Sequence, residues 1–298
     1  MKVLKLGILG ISSGNGHPYS WSAIFNGFDP IAMAECPFPT IPRYLAERRF
    51  PDDAIAGGNV THIWTQDRAV SEHIAAASLI PTVVDHPREL IGQVDAILLA
   101  RDDAENHLAL AGHFLKAGMP VYIDKPLALS RAEALAIYAL QSRPGLVFTC
   151  SALAYASEFQ LQAADFEALG RLRYVEAITP KDWSRYAIHV IEPLMNLLGT
   201  QGDIARAIPS SGSARALDLE WTNGLTGRIV ALGGQAGPIE IRLYGEHNFR
   251  VLRFEDSFAA FRTALMVFKE IVAGERPSQD PERVLPLIDL VEAGNSTS

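Results

Sequence analysis

The stretch that decides the fold is LGILGISSGNGHPYSW, residues 6–21. An apolar run ends in a glycine-rich turn, and Pro18 then fits the first turn of a helix, where a missing N–H has no cost. A glycine turn between a strand and a helix lets backbone N–H groups approach a pyrophosphate at the positive helix end. The glycines, Gly10, Gly14 and Gly16, depart from the G-x-G-x-x-G spacing, so the turn predicts a nucleotide site only in the context of the elements that follow it.

Alternating strands and helices supply that context. Apolar runs predict strands at 3–9, 59–65, 82–84, 94–100 and 120–123, and helical patterns lie at 68–78 and 104–117. Strands and helices that alternate at this spacing predict a Rossmann-type parallel sheet. Residues 29–59 interrupt the pattern with several prolines, and a short helix is predicted at 44–49. Such a segment either packs beside the substrate cleft or a subunit partner, through Phe38, Arg43 and Tyr44, or is a surface embellishment.

The pattern changes after residue 126. Helices are predicted at 130–141, 158–169, 186–198, 258–272 and 280–294, and strands at 146–150 and 171–178. Ser130 and Glu133 have the spacing of a capping box. Alternation of apolar and polar residues, as in 239–243, indicates a half-exposed and mainly antiparallel sheet. The fold class is therefore α/β, with a dinucleotide-binding domain at 1–126 and a substrate-binding and dimerisation domain with a largely antiparallel open sheet at 127–298.

Composition excludes several classes of function. The chain has 298 residues and a formal net charge of −8, which argues against a broad nucleic-acid or anionic-membrane surface. Its two cysteines are too few for a disulfide framework or a thiolate zinc cluster, and this is typical of a reducing compartment. The apolar run at 6–11 is too short for a signal peptide, and no segment approaches the ~20 apolar residues that span a bilayer. These features predict a cytoplasmic protein.

Lys125 is the first candidate catalytic residue. It follows an apolar strand and precedes a proline, so its ammonium group is expected at the carboxyl end of the sheet, where α/β folds bind ligands. A lysine there can hold a substrate hydroxyl or share its proton while hydride moves.

Around Lys125 the sequence resembles the Gfo/Idh/MocA family of NAD(P)-dependent oxidoreductases. The segment VDAILLARDDAENHLALAGHFLKAGMPVYIDKPLA is similar to the family's strand, loop, helix and strand that lead to Glu-Lys-Pro, here Asp124-Lys125-Pro126. VTHIWTQDRAVSEHIAAASLIP resembles its second strand and helix, and HVIEPLMNLLG resembles its His-x-x-Asp helix, here His189 and Glu192. The likeness covers most of the chain except 29–59.

This resemblance implies the fold, cofactor and site. It implies NAD or NADP as cofactor, a sugar, polyol or related hydroxy compound as substrate, and a homodimer or homotetramer formed through the open sheet. Lys125 would lie at the nicotinamide and substrate, and His189 would relay a proton or bind substrate. No metal is implied. The residues assigned to the cofactor are Gly10, Ser12, Ser13, Gly14, Gly16, Asp67, Arg68, Arg101 and Lys125.

Two departures from the family bear on specificity. Thr65 stands where an acidic residue is expected at the end of the second strand, with Asp67 and Arg68 following, so NAD and NADP both stay open. Arg185 stands four residues before His189, where the family often has aspartate. It either grips an acidic substrate group, a carboxylate or phosphate, or forms an exposed pair with Glu192. In place of the missing aspartate, Glu192 or Asp182 would supply the carboxylate that orients the His189 imidazole. Both are assigned to the substrate site with Arg185.

Two other classes of function compete with the dehydrogenase. A sensor that binds dinucleotide without turnover is suggested by the missing aspartate, and bound NAD(P)H would then never oxidise. A metal-dependent hydrolase is suggested by the eight histidines and by His189-x-x-Glu192, although the other histidines show no metal spacing.

Overall fold

The computed structural model describes residues 3–199, 202–210 and 212–296. Residues 1 and 2 of the first predicted domain, and residues 200, 201, 211, 297 and 298 of the second, lie outside the described residues. The chain divides into two compact units with interleaved segments. Unit 1 comprises Met1–Leu127, Leu135–Thr149 and Phe261–Asp280, and unit 2 comprises Ala128–Ala134, Cys150–Ala260 and Pro281–Ser298.

Unit 1 is built on a six-stranded parallel sheet with the strand order β3-β2-β1-β4-β5-β6. Its central strands are largely apolar because helices cover both faces of a parallel sheet; Ile97, Leu98 and Leu99, for example, are fully buried. The strands are β1 (Leu4–Leu9), β2 (Gly58–Trp64), β3 (Thr82–Val83), β4 (Ala96–Leu99), β5 (Val121–Ile123) and β6 (Val147–Phe148). The helices up to this point of the chain are α1 (His17–Asn26), α2 (Pro30–Ala34), α3 (Thr40–Ala46), α4 (Arg68–Ala77), α5 (His107–Lys116) and α6 (Arg131–Ala139), of which α6 crosses a unit boundary.

The segment 29–59 holds two short helices, whereas the sequence predicted one at 44–49. Asp29 caps α2, since its carboxylate accepts hydrogen bonds from the N–H groups of Ile31 and Ala32, and Pro30 fills the first helical position. Helix α3 begins at Thr40, four residues before the predicted start, and ends at Ala46. The prolines therefore set helix starts here rather than exclude helices.

Unit 2 contains a six-stranded mixed sheet with the order β12-β11-β7-β10-β9-β8, in which β7 and β10 are parallel and the other neighbours antiparallel. Its strands are β7 (Leu172–Thr179), β8 (Ile204–Ser210), β9 (Arg215–Trp221), β10 (Thr226–Ala231), β11 (Glu240–Gly245) and β12 (Phe249–Arg253). The remaining helices are α7 (Ala163–Leu169), α8 (Trp183–Tyr186), α9 (Ile188–Leu198), α10 (Ser257–Val272), which crosses a unit boundary, and α11 (Pro281–Asn295). The predicted fold class, a Rossmann-type sheet with a second, largely antiparallel one, is confirmed.

Two predicted helices are divided. The predicted helix at 158–169 consists of a 3₁₀ turn, Ser157–Phe159, followed by α7. The predicted helix at 186–198 begins earlier, as α8, and continues as α9 after Ala187. Asp182 explains the earlier start, because its side chain caps α8 by accepting a hydrogen bond from the Arg185 N–H at 3.0 Å.

None of the helices in the described part of the chain combines the length and apolar character needed to cross a membrane.

Candidate active site

The turn after β1 is held close to the ends of β2 and β4. Gly10 has a φ of +78° and donates its N–H to the Trp64 carbonyl at 2.7 Å. A Cβ at this position would lie 2.7 Å from Cγ of Arg101. The left-handed backbone and the close approach together explain glycine here.

Polar side chains fasten the rest of this turn to the neighbouring strand ends. The Ser12 hydroxyl donates to Oδ1 of Asp102 at 2.6 Å. Asn15 donates from Nδ2 to Oδ2 of Asp124 at 2.9 Å and accepts the His17 N–H at 2.8 Å. The predicted role of Ser12 as a phosphate donor is therefore disfavoured, because its buried hydroxyl proton is already engaged by a carboxylate.

The open part of the turn lies at Ser13 and Gly14, both of which are exposed. Gly14 has a φ of +79°, and a Cβ there would meet no atom within 4 Å. Gly16 differs, since a Cβ would lie 2.5 Å from Cδ1 of Ile41 and 2.6 Å from Cδ2 of Phe38. Gly14 thus leaves room for a ligand, while Gly16 accommodates the segment 29–59. A dinucleotide pyrophosphate fits the space beside Gly14, where backbone can approach without a side chain.

Lys125 lies directly after β5 and is 4% exposed. Its Nζ is 3.3 Å from Oδ2 of Asp102 and 4.0 Å from Oδ2 of Asp124. Asp102 follows β4, so two carboxylates from neighbouring strand ends hold the ammonium group at the carboxyl edge of the sheet. This is the position that the sequence predicted for Lys125, and its two carboxylate neighbours keep a buried cation electrostatically compensated.

The pairing of His17 with Asp124 was not predicted, since the sequence indicated only a helix-entry residue that binds backbone. Nδ1 of His17 lies 2.8 Å from Oδ2 of Asp124, and the ring stacks on Trp21 with centroids 4.9 Å apart. Burial by itself would raise the pKa of Asp124, but the charges and hydrogen bonds of His17 and Lys125 outweigh it and hold that pKa well below its usual range. Asp124 is therefore an ionised carboxylate between two basic side chains.

Arg101 makes a local ion pair rather than an open cationic site. Its Nε donates to Oδ1 of Asp103 at 2.8 Å, and its Nη2 bonds the second carboxylate oxygen. The backbone oxygen of Arg101 lies 2.7 Å from Nε2 of the fully buried His107. The predicted contact of Arg101 with cofactor would have to compete with this bidentate pair.

At the end of β2, most polar side chains already have partners. The Thr65 hydroxyl is buried and donates to the carbonyl of Asp67 at 2.7 Å. The Asp67 carboxylate caps α4 by accepting the Ala69 N–H at 2.8 Å. Arg68 is more than half exposed and pairs with Glu72 and Asp85. Gln66 joins this loop to the glycine turn, since its amide bonds both backbone groups of Ile11.

In unit 2, three polar side chains form a buried cluster around the start of α9. Nδ1 of His189 lies 2.9 Å from Oγ of Ser151, and the Ser151 N–H donates to Oε2 of Glu192 at 2.6 Å. His189 is 7% and Glu192 is 8% exposed. Burial raises the pKa of Glu192 to about 8, against a smaller lowering by the Ser151 N–H. Sequence reasoning missed Ser151, which carries no motif and precedes a 3₁₀ turn, Ala152–Tyr155.

Arg185 does not form the exposed ion pair with Glu192 that the sequence left open. Glu192 is buried and is bonded to Ser151. Asp182 uses its carboxylate to cap α8, as described above, so neither predicted carboxylate is the hydrogen-bond partner of Nδ1 of His189. Arg185 is half-buried on α8, one turn before His189. Tyr186 lies between them and packs edge-on against the His189 ring, with centroids 5.1 Å apart.

Among the described residues, no group of three or more His, Cys, Asp or Glu side chains is arranged to hold a metal ion.

Comparison with known families defines the class of protein. Residues 41–151 match a family model described as an oxidoreductase family with an NAD-binding Rossmann fold. The protein is thus an NAD-binding oxidoreductase, and the predicted cofactor class, NAD or NADP, is confirmed. The matched model is that of the Gfo/Idh/MocA family, which the sequence resemblance predicted, and most of the match lies within unit 1.

Solved structures of low sequence identity share the fold over nearly the whole chain. GenD2 from gentamicin A biosynthesis, solved in complex with NAD, has a TM-score of 0.74 at 15% identity, and the match covers 98% of this chain and 93% of GenD2. Biliverdin reductase from Synechocystis sp. PCC 6803, in complex with biliverdin and NADP+, has a TM-score of 0.72 at 15% identity and 98% coverage of both chains. Myo-inositol 2-dehydrogenase from Lactobacillus plantarum has a TM-score of 0.71 at 13% identity, covering 98% of this chain and 97% of the other. No curated protein matches in sequence.

Proposed function

We propose that this oxidoreductase transfers hydride between a nicotinamide cofactor and the CH–OH or carbonyl carbon of a sugar, polyol or related hydroxy compound. The observation that carries the proposal is Lys125, a buried ammonium group held by Asp102 and Asp124 at the carboxyl edge of a sheet with Rossmann strand order. The myo-inositol 2-dehydrogenase among the structural neighbours supports the polyol class.

Four residues of the chain would have separate roles in cofactor binding, proton transfer and substrate binding. The backbone at Ser13 and Gly14 would hold the cofactor pyrophosphate, and the bound cofactor would accept or donate the hydride. Lys125 would hold the substrate oxygen and exchange a proton with it as the hydride moves. His189 would be the second residue to contact the substrate.

Asp102 and Asp124 would keep Lys125 in place and balance its charge. A lysine between two carboxylates loses one unit of positive charge when it gives up its proton, and the remaining negative charge then favours its return. Two nearby carboxylates favour the protonated form, so Lys125 would meet the substrate oxygen as a hydrogen-bond donor and would regain any proton that it passes to that oxygen.

The test is cofactor turnover. Oxidation of NADH and NADPH should be followed by absorbance against a panel of keto-sugars and inosose-type ketones, and the reverse reaction against polyols. Lys125→Met should bind the cofactor nearly as tightly as wild type but lower kcat/KM by at least ~10²-fold. Lys116→Met, at an exposed lysine at the end of α5, is the matched control. A wild-type protein that binds NAD(P)H but never oxidises it on any member of the panel would favour the sensor instead.

The choice between NAD and NADP is a second question for the same assay. Arg68 would receive a 2′-phosphate only by loosening its pairs with Glu72 and Asp85, while Asp67 already caps α4. We therefore propose that the two cofactors bind with similar affinity, and titration of each by fluorescence would show whether one is preferred by more than about tenfold.

We also propose that the protein is a cytoplasmic homodimer or homotetramer. The exposed face of the unit 2 sheet carries apolar residues at its β12 edge, with Phe249 57% and Val251 48% exposed, and this face would form the subunit contact. Neither Cys36 nor Cys150 forms a disulfide in the described part of the chain, and both are buried, as in proteins of a reducing compartment. Light scattering after size-exclusion chromatography, with Val251→Lys as the disrupting variant, would test the assembly.

A further inference from the structure

The Ser151 hydroxyl is fully buried, and its contacts determine where its proton points. Ser151 is 0% exposed. Its Oγ accepts a hydrogen bond from the Leu153 N–H at 3.3 Å and lies 2.9 Å from Nδ1 of His189. A buried hydroxyl proton needs an acceptor within the protein, because an unsatisfied buried donor loses its hydration without compensation.

Of these two neighbours only the imidazole nitrogen can accept the proton. The Leu153 N–H is a donor, so it uses the oxygen of Ser151 and not its hydrogen. If Nδ1 of His189 also carried a proton, the Ser151 oxygen would accept two hydrogen bonds, and its own proton would have no acceptor among the described residues.

Glu192 reinforces this arrangement. Its carboxyl oxygen accepts the Ser151 N–H at 2.6 Å, which fixes the backbone of Ser151 and so the direction of its side chain. Burial raises the pKa of Glu192 to about 8, so that this carboxyl is mostly protonated near neutral pH and adds little negative charge beside the imidazole. An ionised carboxylate hydrogen-bonded to Nδ1 would instead hold a proton on that nitrogen.

We infer that the Ser151 hydroxyl donates to Nδ1 of His189, so that the neutral imidazole carries its proton on Nε2 and meets the substrate as a hydrogen-bond donor. The inference rests on the proposed function only for the last step, the presence of substrate at His189. In this tautomer Nε2 can hold a carbonyl or alkoxide oxygen but cannot remove the proton of a substrate hydroxyl. Ser151 is thus a positioning residue, which sets the chemical role of His189 without touching the substrate.

The tautomer can be measured without cofactor or substrate. Long-range ¹H–¹⁵N correlation spectra of the full chain with ¹⁵N-labelled histidine, at about pH 7.5, distinguish the two neutral tautomers by the nitrogen that is protonated. His189→Gln identifies the relevant signals by their loss, and the other seven of the eight histidines report that the fold is intact. We expect wild-type His189 to show the Nε2–H pattern. An Nδ1–H pattern would overturn the inference.

Two variants test whether Ser151 is the cause. Ser151→Ala removes the donor, and the His189 signals should change from a single tautomer to a mixture that contains Nδ1–H. Ser157→Ala, at an exposed serine of the neighbouring 3₁₀ turn, should leave them unchanged. An unaltered pattern in Ser151→Ala would overturn the role of Ser151.

If that variant does not fold, Ser151→Thr, which keeps the hydroxyl, should retain the wild-type pattern, and a change to Nδ1–H would count against the inference. Because none of these spectra requires turnover, the result is independent of the outcome of the activity assay.

Discussion

His17 and Asp124 are joined by a hydrogen bond of 2.8 Å between Nδ1 and Oδ2, although 107 residues separate them in the chain. The pair links the first residue of α1 to the residue that precedes Lys125. Asn15 donates to the same carboxylate oxygen at 2.9 Å. The glycine turn and the proposed catalytic lysine are therefore parts of one polar network, and a substitution in the turn should alter the electrostatic environment of Lys125.

Removal of His17 should destabilise the protein. In His17→Ala the ionised Asp124 loses a hydrogen-bond donor, so the free energy of unfolding should fall by about 1.5–3 kcal/mol, the range for hydrogen bonds to charged groups. Chemical denaturation at neutral pH measures this. His247→Ala, at an exposed histidine of unit 2, should change stability by no more than about 0.5 kcal/mol. Equal stability of the two variants would show that the pair contributes nothing.

The open space at Gly14 gives a matched test of cofactor binding. Gly14 and Gly92 have nearly the same left-handed φ, +79° and +81°, and at neither would a Cβ meet an atom within 4 Å. Alanine should therefore cost a similar amount of stability at both, roughly 1 kcal/mol. Only Gly14→Ala should weaken NAD(P)H binding, by at least about tenfold, because its methyl group occupies the proposed pyrophosphate space. Equal NAD(P)H dissociation constants for the two variants would show that the pyrophosphate does not bind at this turn.

Burial of Glu192 should make stability depend on pH in a specific direction. Its pKa is about 8 in the folded protein, compared with an ordinary value of 4.5, so the folded state retains a proton that the unfolded chain releases. The stability that this proton contributes is complete below pH 4.5 and is lost as the pH rises toward 8, by at most about 1.4 kcal/mol per pH unit.

The isosteric variant Glu192→Gln isolates that effect. An amide does not titrate in this range, and its oxygen can still accept the Ser151 N–H. The stability of wild type relative to Glu192→Gln should therefore decline steadily between about pH 5 and pH 8. Thermal melts of both proteins across this range provide the measurement, and parallel profiles would show that Glu192 is ionised in the folded state.

The sequence predicted the elements better than the contacts between them. Continuous apolar runs marked the buried parallel strands, and Lys125 was found because it follows such a run. The partners of Lys125 and His17 could not be found in this way, since Asp102, Asp124 and the glycine turn meet only when the strand order brings β1, β4 and β5 side by side. Ser12 is an example: a serine in a glycine turn is typical of a phosphate donor, but in this fold its hydroxyl donates a hydrogen bond to Asp102, a partner that the sequence did not indicate.

The segment 29–59 should be sensitive at its contact with Gly16. A Cβ on Gly16 would overlap Phe38 and Ile41, so Gly16→Ala should lower the free energy of unfolding by about 1–3 kcal/mol, as overpacking does. Phe38→Ala in the same chain should recover part of that loss, because it removes one of the two overlapping side chains. A double-mutant cycle in denaturant measures the coupling. Strictly additive losses would show that Phe38 does not pack on the turn. In that case residues 29–59 would be the surface embellishment that the sequence left open.

Arg185 bears on the substrate class. It is half-buried on α8, one turn before His189, and Glu192 is not its ion-pair partner because that carboxyl is buried against Ser151. We expect the guanidinium to bind an acidic substrate group, a carboxylate or phosphate, through paired hydrogen bonds. Arg185→Met should then reduce transition-state stabilisation by roughly 1.5–3 kcal/mol for acidic substrates and leave the turnover of neutral polyols unaffected.

The measurement is kcat/KM of wild type and variant on matched neutral and acidic sugars. Arg206→Met, at an exposed arginine of β8, is the control for a general change of charge. A neutral polyol as the best substrate, turned over equally well by Arg185→Met and wild type, would exclude this role for Arg185.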